Sequence, residues 1–126
     1  MKHGECCCGS GRVYAACCEP LHGGAPAADA EALMRSRYSA YVLDLRDYLL
    51  QTWDPRTRPP SIEPPTPGLR WLGLQVLEHV ALTDGRATVR FVARYRLGGG
   101  SAVRMKEISR FRLDHGRWLY VDGDHG

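Results

Sequence analysis

Five cysteines within thirteen residues constrain this chain more than any other feature. The segment Cys6–Cys18 reads Cys-Cys-Cys-Gly-Ser-Gly-Arg-Val-Tyr-Ala-Ala-Cys-Cys, and the rest of the 126-residue chain contains no cysteine. Cys6 and Cys8 form one close pair, and Cys17 and Cys18 form another. Glycines between the pairs permit a sharp turn, because glycine accepts a positive φ without steric cost. Four thiolates on such a loop would form a tetrahedral sulfur cage, which suits zinc and, less often, iron.

The residues alone leave other states of these thiols open. A Cys6–Cys8 or Cys17–Cys18 disulfide would close a very small and strained ring, whereas bridges between the two pairs are geometrically allowed. Plain burial explains the cluster poorly, because the segment offers almost no apolar partners. Cys7 is a spare thiol that can point outward or exchange with a ligand. A metal site therefore explains the pattern best, with oxidised or free thiols as the alternatives.

The segment resembles the SEC-C motif, a zinc hook named for the C-terminal tail of the preprotein-translocase motor ATPase. The shared pattern is C-x-C-G-S-G-R-x-Y-x-x-C-C, and this chain has Cys7 where the motif usually has proline. The resemblance implies zinc ligation by Cys6, Cys8, Cys17 and Cys18. A zinc ion with four sulfur ligands has no open coordination position, so it would be structural and not hydrolytic.

The composition is that of one ordinary globular chain with no sign of export. Its formal net charge is +3, and four thiolates on one Zn²⁺ would lower it further, so bulk charge does not argue for a polyanionic partner. No apolar stretch approaches the roughly 18 residues of a membrane span, and the N-terminus lacks the apolar segment of a signal peptide. A cysteine cluster without an export signal predicts a cytoplasmic metal site.

Three segments are predicted along the chain: a hook over residues 1–20, a tether over 21–28 and an α+β body over 29–126. The hook has too few apolar residues for a core of its own, so a metal would have to supply its folding energy. His22 is expected to be a solvent-exposed residue of a loose tether, with a stray metal ligand as the alternative.

Two helices are predicted at the start of the body. Asp29 is a suitable N-cap, and apolar residues at helical spacing predict an amphipathic helix of about four turns that extends to Leu45. A second, short helix is expected near Leu45–Thr52. Six prolines fall within residues 54–69, and this density predicts an extended surface loop because proline breaks helices and central strands.

Four strands are predicted to complete the body. Asp-Gly and Gly-Gly pairs between alternating runs are typical of hairpins. Helices that precede an antiparallel meander predict an α+β domain with the helices on one face of a curved sheet. The predicted strands are Trp71–Leu82, Arg86–Leu97, Ala102–Leu113 and Arg117–Asp122.

The inner face of the predicted sheet contains a candidate pocket. Odd-numbered residues of the second and third strands should face the helices, and Glu107 and Ser109 interrupt their apolar row. A carboxylate on a core face must be paired or must open onto a cavity. Arg37 is the natural partner for Glu107, and a structural bridge and a pocket role both remain open. The candidate pocket residues are Arg37, Tyr38, Tyr41, Glu107 and Ser109.

The outer face of the same two strands is predicted to be strongly basic. Its even positions carry cations and no carboxylate, namely Arg86, Arg90, Arg94, Arg96, Arg104, Lys106, Arg110 and Arg112. Like charges on adjacent strands destabilise each other. Acids from loops, from Glu78 or from a dimer partner would offset them, and so would a polyanion such as ribosomal RNA bound through phosphates. The candidate contacts are Arg90, Arg94, Arg110 and Arg112.

A helix pair wrapped by a curved sheet resembles the nuclear-transport-factor-2-like cone. Several segments are also similar to the YchJ-like family of small bacterial proteins, among them Met34–Tyr41, Asp47–Trp53, Phe91–Tyr95 and Gly116–Gly123. With the hook, the similarity spans nearly the whole chain. It implies the cone fold and a zinc site, and it implies no activity.

Three functions compete at this point. The favoured one is a zinc-hook adaptor that recruits a cytosolic protein partner, as SEC-C hooks do in other contexts. The second is a ligand-binding protein or enzyme that uses the cone, with Glu107, Tyr38 and His79 as an acid–base set. The third is an RNA or ribosome binder. No nucleotide-binding, dinucleotide-binding, serine-hydrolase or zinc-protease motif is present, so no catalytic residue is assigned. Homodimerisation is left open.

Overall fold

Three helices precede a four-stranded antiparallel sheet in the computed structural model, which describes residues 5–125. This is the predicted α+β arrangement. Short 3₁₀ turns at Tyr14–Ala16 and Thr83–Gly85 accompany these elements. The helices are α1 (Cys18–His22), α2 (Ala30–Leu43) and α3 (Arg46–Gln51). The strands are β1 (Leu69–Ala81), β2 (Arg86–Leu97), β3 (Val103–Asp114) and β4 (Arg117–His125).

Helix α2 begins and ends for local reasons. The side chain of Asp29 accepts a hydrogen bond from the Ala32 amide at 2.8 Å, which confirms the predicted N-cap. The helix ends at Leu43, earlier than predicted, because Asp44 adopts a left-handed conformation with φ of 59°. The proline-rich segment that follows α3 contains no helix or strand before Leu69, as its composition predicts.

The sheet is a simple meander in the order β1-β2-β3-β4. Bulges interrupt the pairing between Trp71 and Gly73 and between Val76 and Glu78 in β1, and at Val121 in β4, opposite Arg110 and Phe111 of β3. Such bulges bend a strand and increase its twist, so they account for a curved sheet with helices on its concave face.

The main core lies between α2 and the concave face of the sheet. The buried residues include Leu33 and Met34 of α2, Val89 and Phe91 of β2, and Phe111 of β3. The predicted inner row is therefore confirmed in the middle of the strands. It fails at the ends of β3, because Val103 and Leu113 project past the cover of the helices and are each 43% exposed.

The hook packs directly on the body. His22 lies against α2: its Nε2 donates to the Ser36 carbonyl at 2.8 Å, and the Tyr14 hydroxyl bonds its Nδ1 at 2.7 Å. Arg35 of α2 donates to the Cys8 carbonyl at 2.8 Å. The expectation of a solvent-exposed His22 on a loose tether is wrong, because this residue belongs to α1 and joins hook to body. The domain boundaries themselves remain a prediction.

Among residues 5–125, no helix combines the length and the apolar character needed to cross a bilayer.

Candidate metal centre and neighbouring sites

Four sulfur atoms form a closed cage between the hook and the body. The Sγ atoms of Cys6, Cys8, Cys17 and Cys18 all lie within 4.8 Å of one another. Two of the edges measure 3.5 Å, from Cys8 to Cys17, and 3.9 Å, from Cys17 to Cys18. A tetrahedral zinc ion with Zn–S bonds of about 2.3 Å requires edges of about 3.8 Å. The cage therefore fits a tetrahedral metal ion bound by four thiolates.

Local backbone structure builds this cage. Cys6 donates its amide to the Arg12 carbonyl at 2.8 Å, which closes the turn that carries the first cysteine pair. Within that turn Gly9 has φ of +79°, and a Cβ at this position would lie 2.9 Å from the Leu74 carbonyl of β1. Glycine is thus required for both the turn and the close approach to the sheet. The 3₁₀ turn Tyr14–Ala16 then returns the second pair to the first.

Polar contacts surround one of the four sulfurs. Cys17 Sγ lies 3.1 Å from the Ser10 hydroxyl and 3.9 Å from Nη2 of Arg12. A hydroxyl and a guanidinium next to a thiolate offset part of its charge, as outer contacts of metal ligands commonly do. Cys7 stands outside the cage and is only partly buried, and burial raises the pKa of its thiol.

Burial and mutual hydrogen bonds shift the pKa values of three of these thiols in different directions. Burial raises the pKa of Cys6 to about 11. A hydrogen bond from Cys18 lowers the pKa of Cys8 to about 4, and the same bond, together with burial, raises that of Cys18. The S–H group of Cys18 thus stabilises the Cys8 thiolate, and Cys18 in turn holds its own proton more tightly. A bound dication would replace the thiol protons, so metal affinity should increase with pH.

A second site is a cavity of about 350 Å³ between α2 and the concave face of the sheet. All five predicted pocket residues line it: Arg37, Tyr38, Tyr41, Glu107 and Ser109. The remaining walls are mainly apolar or aromatic and include Trp71, Phe91, Phe111 and Tyr120. Burial raises the pKa of Tyr38 and of Tyr120 to about 12, so both phenols are neutral near pH 7.

The predicted bridge between Arg37 and Glu107 is absent from the described residues, and that prediction is wrong. Nη1 of Arg37 donates to the Leu49 carbonyl at 2.8 Å and to the Thr52 hydroxyl at 2.6 Å. The guanidinium therefore caps the end of α3, where free carbonyls attract a cation. The Cζ atom of Arg37 also lies 5.1 Å from the ring centre of Trp53 and 4.6 Å from the ring centre of Tyr120.

Glu107 lies on the other side of the cavity and contacts Ser109 and His125. It accepts a hydrogen bond from the Ser109 hydroxyl at 2.5 Å, and His125 Nε2 lies 3.6 Å from its other oxygen. The carboxylate lies over Gly123 of β4, where a Cβ would come within 2.5 Å of it. The acid–base set proposed from the sequence is not assembled, because His79 faces Glu31 at 3.9 Å and does not line the cavity.

The outer face of the sheet is less basic than its sequence suggests. Arg110 pairs with Asp122 at 2.5 Å and with Asp124 at 2.8 Å, and Arg90 lies 3.8 Å from Glu78. Acids of the neighbouring strands β1 and β4 therefore offset part of the charge that the even positions of β2 and β3 carry. The sequence contains the signal for the Arg110 pairs, because Asp122 and Asp124 occupy even positions of β4. That strand continues further than predicted.

Asp54 is a site residue that sequence reasoning missed. It follows α3, its side chain is only 1% exposed, and Arg112 donates to it at 2.6 Å while Arg56 donates at 3.1 Å. These bonds, that of Arg112 first, hold the pKa of the Asp54 carboxyl well below its usual range. Arg112, a predicted basic-face residue, is thus neutralised. Arg94 remains exposed and without an ion pair among residues 5–125.

Comparisons with known proteins agree with this architecture. Residues 29–123 match the family model described as YchJ, middle NTF2-like domain. A UPF0225 protein of Methylibium petroleiphilum is 55% identical over 125 residues, which cover 98% of this chain and 91% of the relative. A UPF0225 protein of Bordetella pertussis is 54% identical over 122 residues, which cover 94% of this chain and 91% of the relative.

Solved structures show the same fold. The solution structure of a SEC-C motif-containing protein from Rhodopseudomonas palustris has a TM-score of 0.79 at 37% identity, and it covers 94% of this chain and 96% of that one. The crystal structure of a SEC-C motif-containing protein from Psychrobacter arcticus has a TM-score of 0.74 at 24% identity, covering 97% of this chain and 81% of that one. The second likeness shows the fold alone.

Proposed function

The chain belongs to the YchJ-like family, and on that premise we propose that it is a cytoplasmic zinc protein whose hook recruits another protein. The observation that carries the proposal is the closed cage of four buried sulfurs. It has the donor set and the spacing of a structural zinc site. Zinc is preferred over iron in this proposal, because a closed site of four cysteine ligands is the usual arrangement of structural zinc.

The hook presents an exposed surface beyond its metal ligands. The cysteines are buried towards the body, whereas Arg12, Val13, Ala15 and Ala16 are exposed. Val13 is 53% exposed, the largest value among the exposed large hydrophobic side chains of the described chain. A small apolar patch beside a cation, fixed by a metal, has the composition and the rigidity of a protein-binding surface.

Affinity capture with surface variants tests the recruiting role. Val13→Asp places a charge on the patch and leaves all four ligands in place. Val103→Asp is the matched control, because Val103 is also an exposed valine at 43% but lies on β3. Wild type and the control should retain a common partner that Val13→Asp loses, while all three proteins contain equal zinc. Identical captured proteins for Val13→Asp and wild type would contradict a recruiting hook.

RNA or ribosome binding is a second candidate, favoured by one part of the outer face. Arg94 pairs in register with Arg104, and Arg70 pairs with Arg96. These four arginines form no ion pair with the carboxylates of residues 5–125, in contrast to Arg110. A cluster of free cations is the usual requirement for binding phosphates without sequence readout.

Fluorescence anisotropy with single-stranded and duplex RNA across a salt series tests this candidate. Binding should weaken steeply with salt and should weaken further when Arg94 and Arg104 become Gln. Arg110→Gln is the control, because its charge is already offset by two aspartates. Absence of binding at low salt would contradict an RNA-binding role for this face.

A further inference from the structure

The cone cavity contains a buried cation that has no carboxylate partner. Arg37 is 5% exposed and lines the cavity. Both of its hydrogen bonds within residues 5–125 are made by Nη1. Guanidinium has five N–H donors, so the donors of Nε and Nη2 have no acceptor in the described chain. Burial lowers the pKa of Arg37, as expected for a cation without a close counter-charge.

Aromatic rings compensate this cation only in part. The ring of Tyr120 and the ring of Trp53 flank the guanidinium carbon at 4.6 Å and 5.1 Å. Cation–π contacts of this kind contribute less than a hydrogen-bonded ion pair does, and a buried charge is costly unless it is paired. An anion in the cavity would provide both the missing counter-charge and the missing acceptors.

The opposite wall offers a carboxylate of its own. Glu107 lines the same cavity, with its side chain 11% exposed, and forms no ion pair with Arg37. The only basic side chain within 4.0 Å of it among residues 5–125 is the imidazole of His125, which is 69% exposed. The cavity therefore has one donor-rich point and one acceptor-rich point, separated by an apolar interior.

The volume and the lining residues of the cavity indicate the size and the aromatic character of a suitable ligand. A volume of about 350 Å³ lies within the range of small-ligand pockets. Tyr38, Trp71 and Phe111 supply faces and edges against which a planar ring packs well. An aliphatic ligand would fill the same space but would gain less from these rings.

We propose that the cone cavity is a binding site for a small aromatic carboxylate that also carries a hydroxyl or amino group. The carboxylate is held by the free donors of Arg37, the ring lies between the aromatic walls, and the hydroxyl or amino group donates to Glu107. This site is separate from the metal cage and independent of the proposed recruiting role. It involves binding only, and no covalent step is assigned to it.

Titration of the full-length, zinc-loaded protein with three probes tests the proposal by two-dimensional NMR. The probes are 4-hydroxycinnamate, its methyl ester, and tyramine, which share an aromatic ring and a phenol but differ in charge. 4-Hydroxycinnamate should shift the resonances of cavity residues at millimolar concentration. The ester and tyramine should bind about tenfold more weakly or worse, because each lacks the charge-assisted bond to Arg37.

Substitutions of one cavity-wall residue and of Arg37 locate the site. Ala93 is buried and lines the cavity, so Ala93→Leu fills empty space and should weaken 4-hydroxycinnamate binding about tenfold or more. Ala81→Leu is the matched control on an exposed strand position and should bind as wild type does. Arg37→Met should abolish the preference for the acid over the ester.

The results that overturn the proposal are equally specific. Equal affinity for the acid, the ester and tyramine would exclude an anion site at Arg37. Unchanged binding by Ala93→Leu would place the ligand outside the cone. No chemical-shift change with 4-hydroxycinnamate at millimolar concentration would exclude this ligand class. The Ala93→Leu result stands even if Arg37→Met fails to fold, because Ala93 takes no part in the packing of Arg37 against α3.

Discussion

The hook and the cone are stabilised by different chemistry. The cone buries aliphatic and aromatic side chains between α2 and the sheet, which is the ordinary basis of a stable domain. The hook instead buries four thiols, which join the same buried cluster, and it is tied to α2 by hydrogen bonds from His22 and Arg35. We therefore expect the cone to depend on apolar area and the hook to depend on a bound metal. The predictions below test how sharply the two regions are separated.

Metal removal should have the largest effect, and it should be confined to the hook and the adjoining helix surface. Structural zinc sites in small domains contribute about 10 kcal/mol or more to folding. Hydrogen–deuterium exchange after chelation should show lost protection over residues 5–22 and retained protection in β2 and β3. Uniform exchange throughout the chain would mean that the cone also depends on the metal.

Asp54→Asn should destabilise the cone by about 2 kcal/mol at pH 7, because it removes a buried carboxylate from two arginines. The pKa of Asp54 is lowered in the folded state, so its contribution is present above about pH 4 and is lost as the pH falls below that. Urea unfolding at several pH values measures both effects. Asp47→Asn, at an exposed position, is the control. Equal pH dependence in Asp54→Asn and wild type would contradict this role.

His22→Ala should cost about 1–2 kcal/mol, because it removes hydrogen bonds to Tyr14 and Ser36 that join the two regions. The loss should appear as faster exchange in the hook at unchanged metal content. His115→Ala is the control, because that side chain is 94% exposed. Faster exchange in β3, with the hook unaffected, would show that His22 does not couple hook to cone.

Glu107→Gln should have the smallest effect, below about 1 kcal/mol. Arg37 makes its hydrogen bonds to Leu49 and Thr52, so the substitution leaves no cation newly unpaired. Thermal unfolding of the variant beside wild type measures the difference. A loss of about 3 kcal/mol or more would indicate a strong charge interaction between Glu107 and Arg37.

Local patterns predicted the hook and the course of the chain well. The Asp29 side chain caps α2 by accepting from the amide of Ala32, only three residues further along the chain. Gly9 and Gly11 of the cysteine loop adopt the positive φ that the turn requires. The alternation of apolar and charged residues along β2 predicted which of its side chains are buried, because successive side chains of a strand point to opposite faces. These features depend on residues close together in sequence.

Side-chain partners that are distant in sequence were predicted less well. Arg37 lies on the expected helix face, but its long side chain reaches α3 instead of β3. Asp54 meets Arg112 only because the loop after α3 packs along β4, where Trp53 and Tyr120 form a bridge. His22 looked like a tether residue because nothing local shows that α1 packs on α2. In each case the tertiary path decides the partner.

The metal content of single cysteine variants tests the central claim most directly. Native mass spectrometry under reducing conditions should show about one zinc per chain for wild type and for Cys7→Ser, because Cys7 stands outside the cage. Cys8→Ser should lose the metal or bind it far more weakly, because its sulfur belongs to the buried cage. Loss of zinc from Cys7→Ser with full retention by Cys8→Ser, or a wild-type protein free of metal, would contradict the four-thiol zinc site.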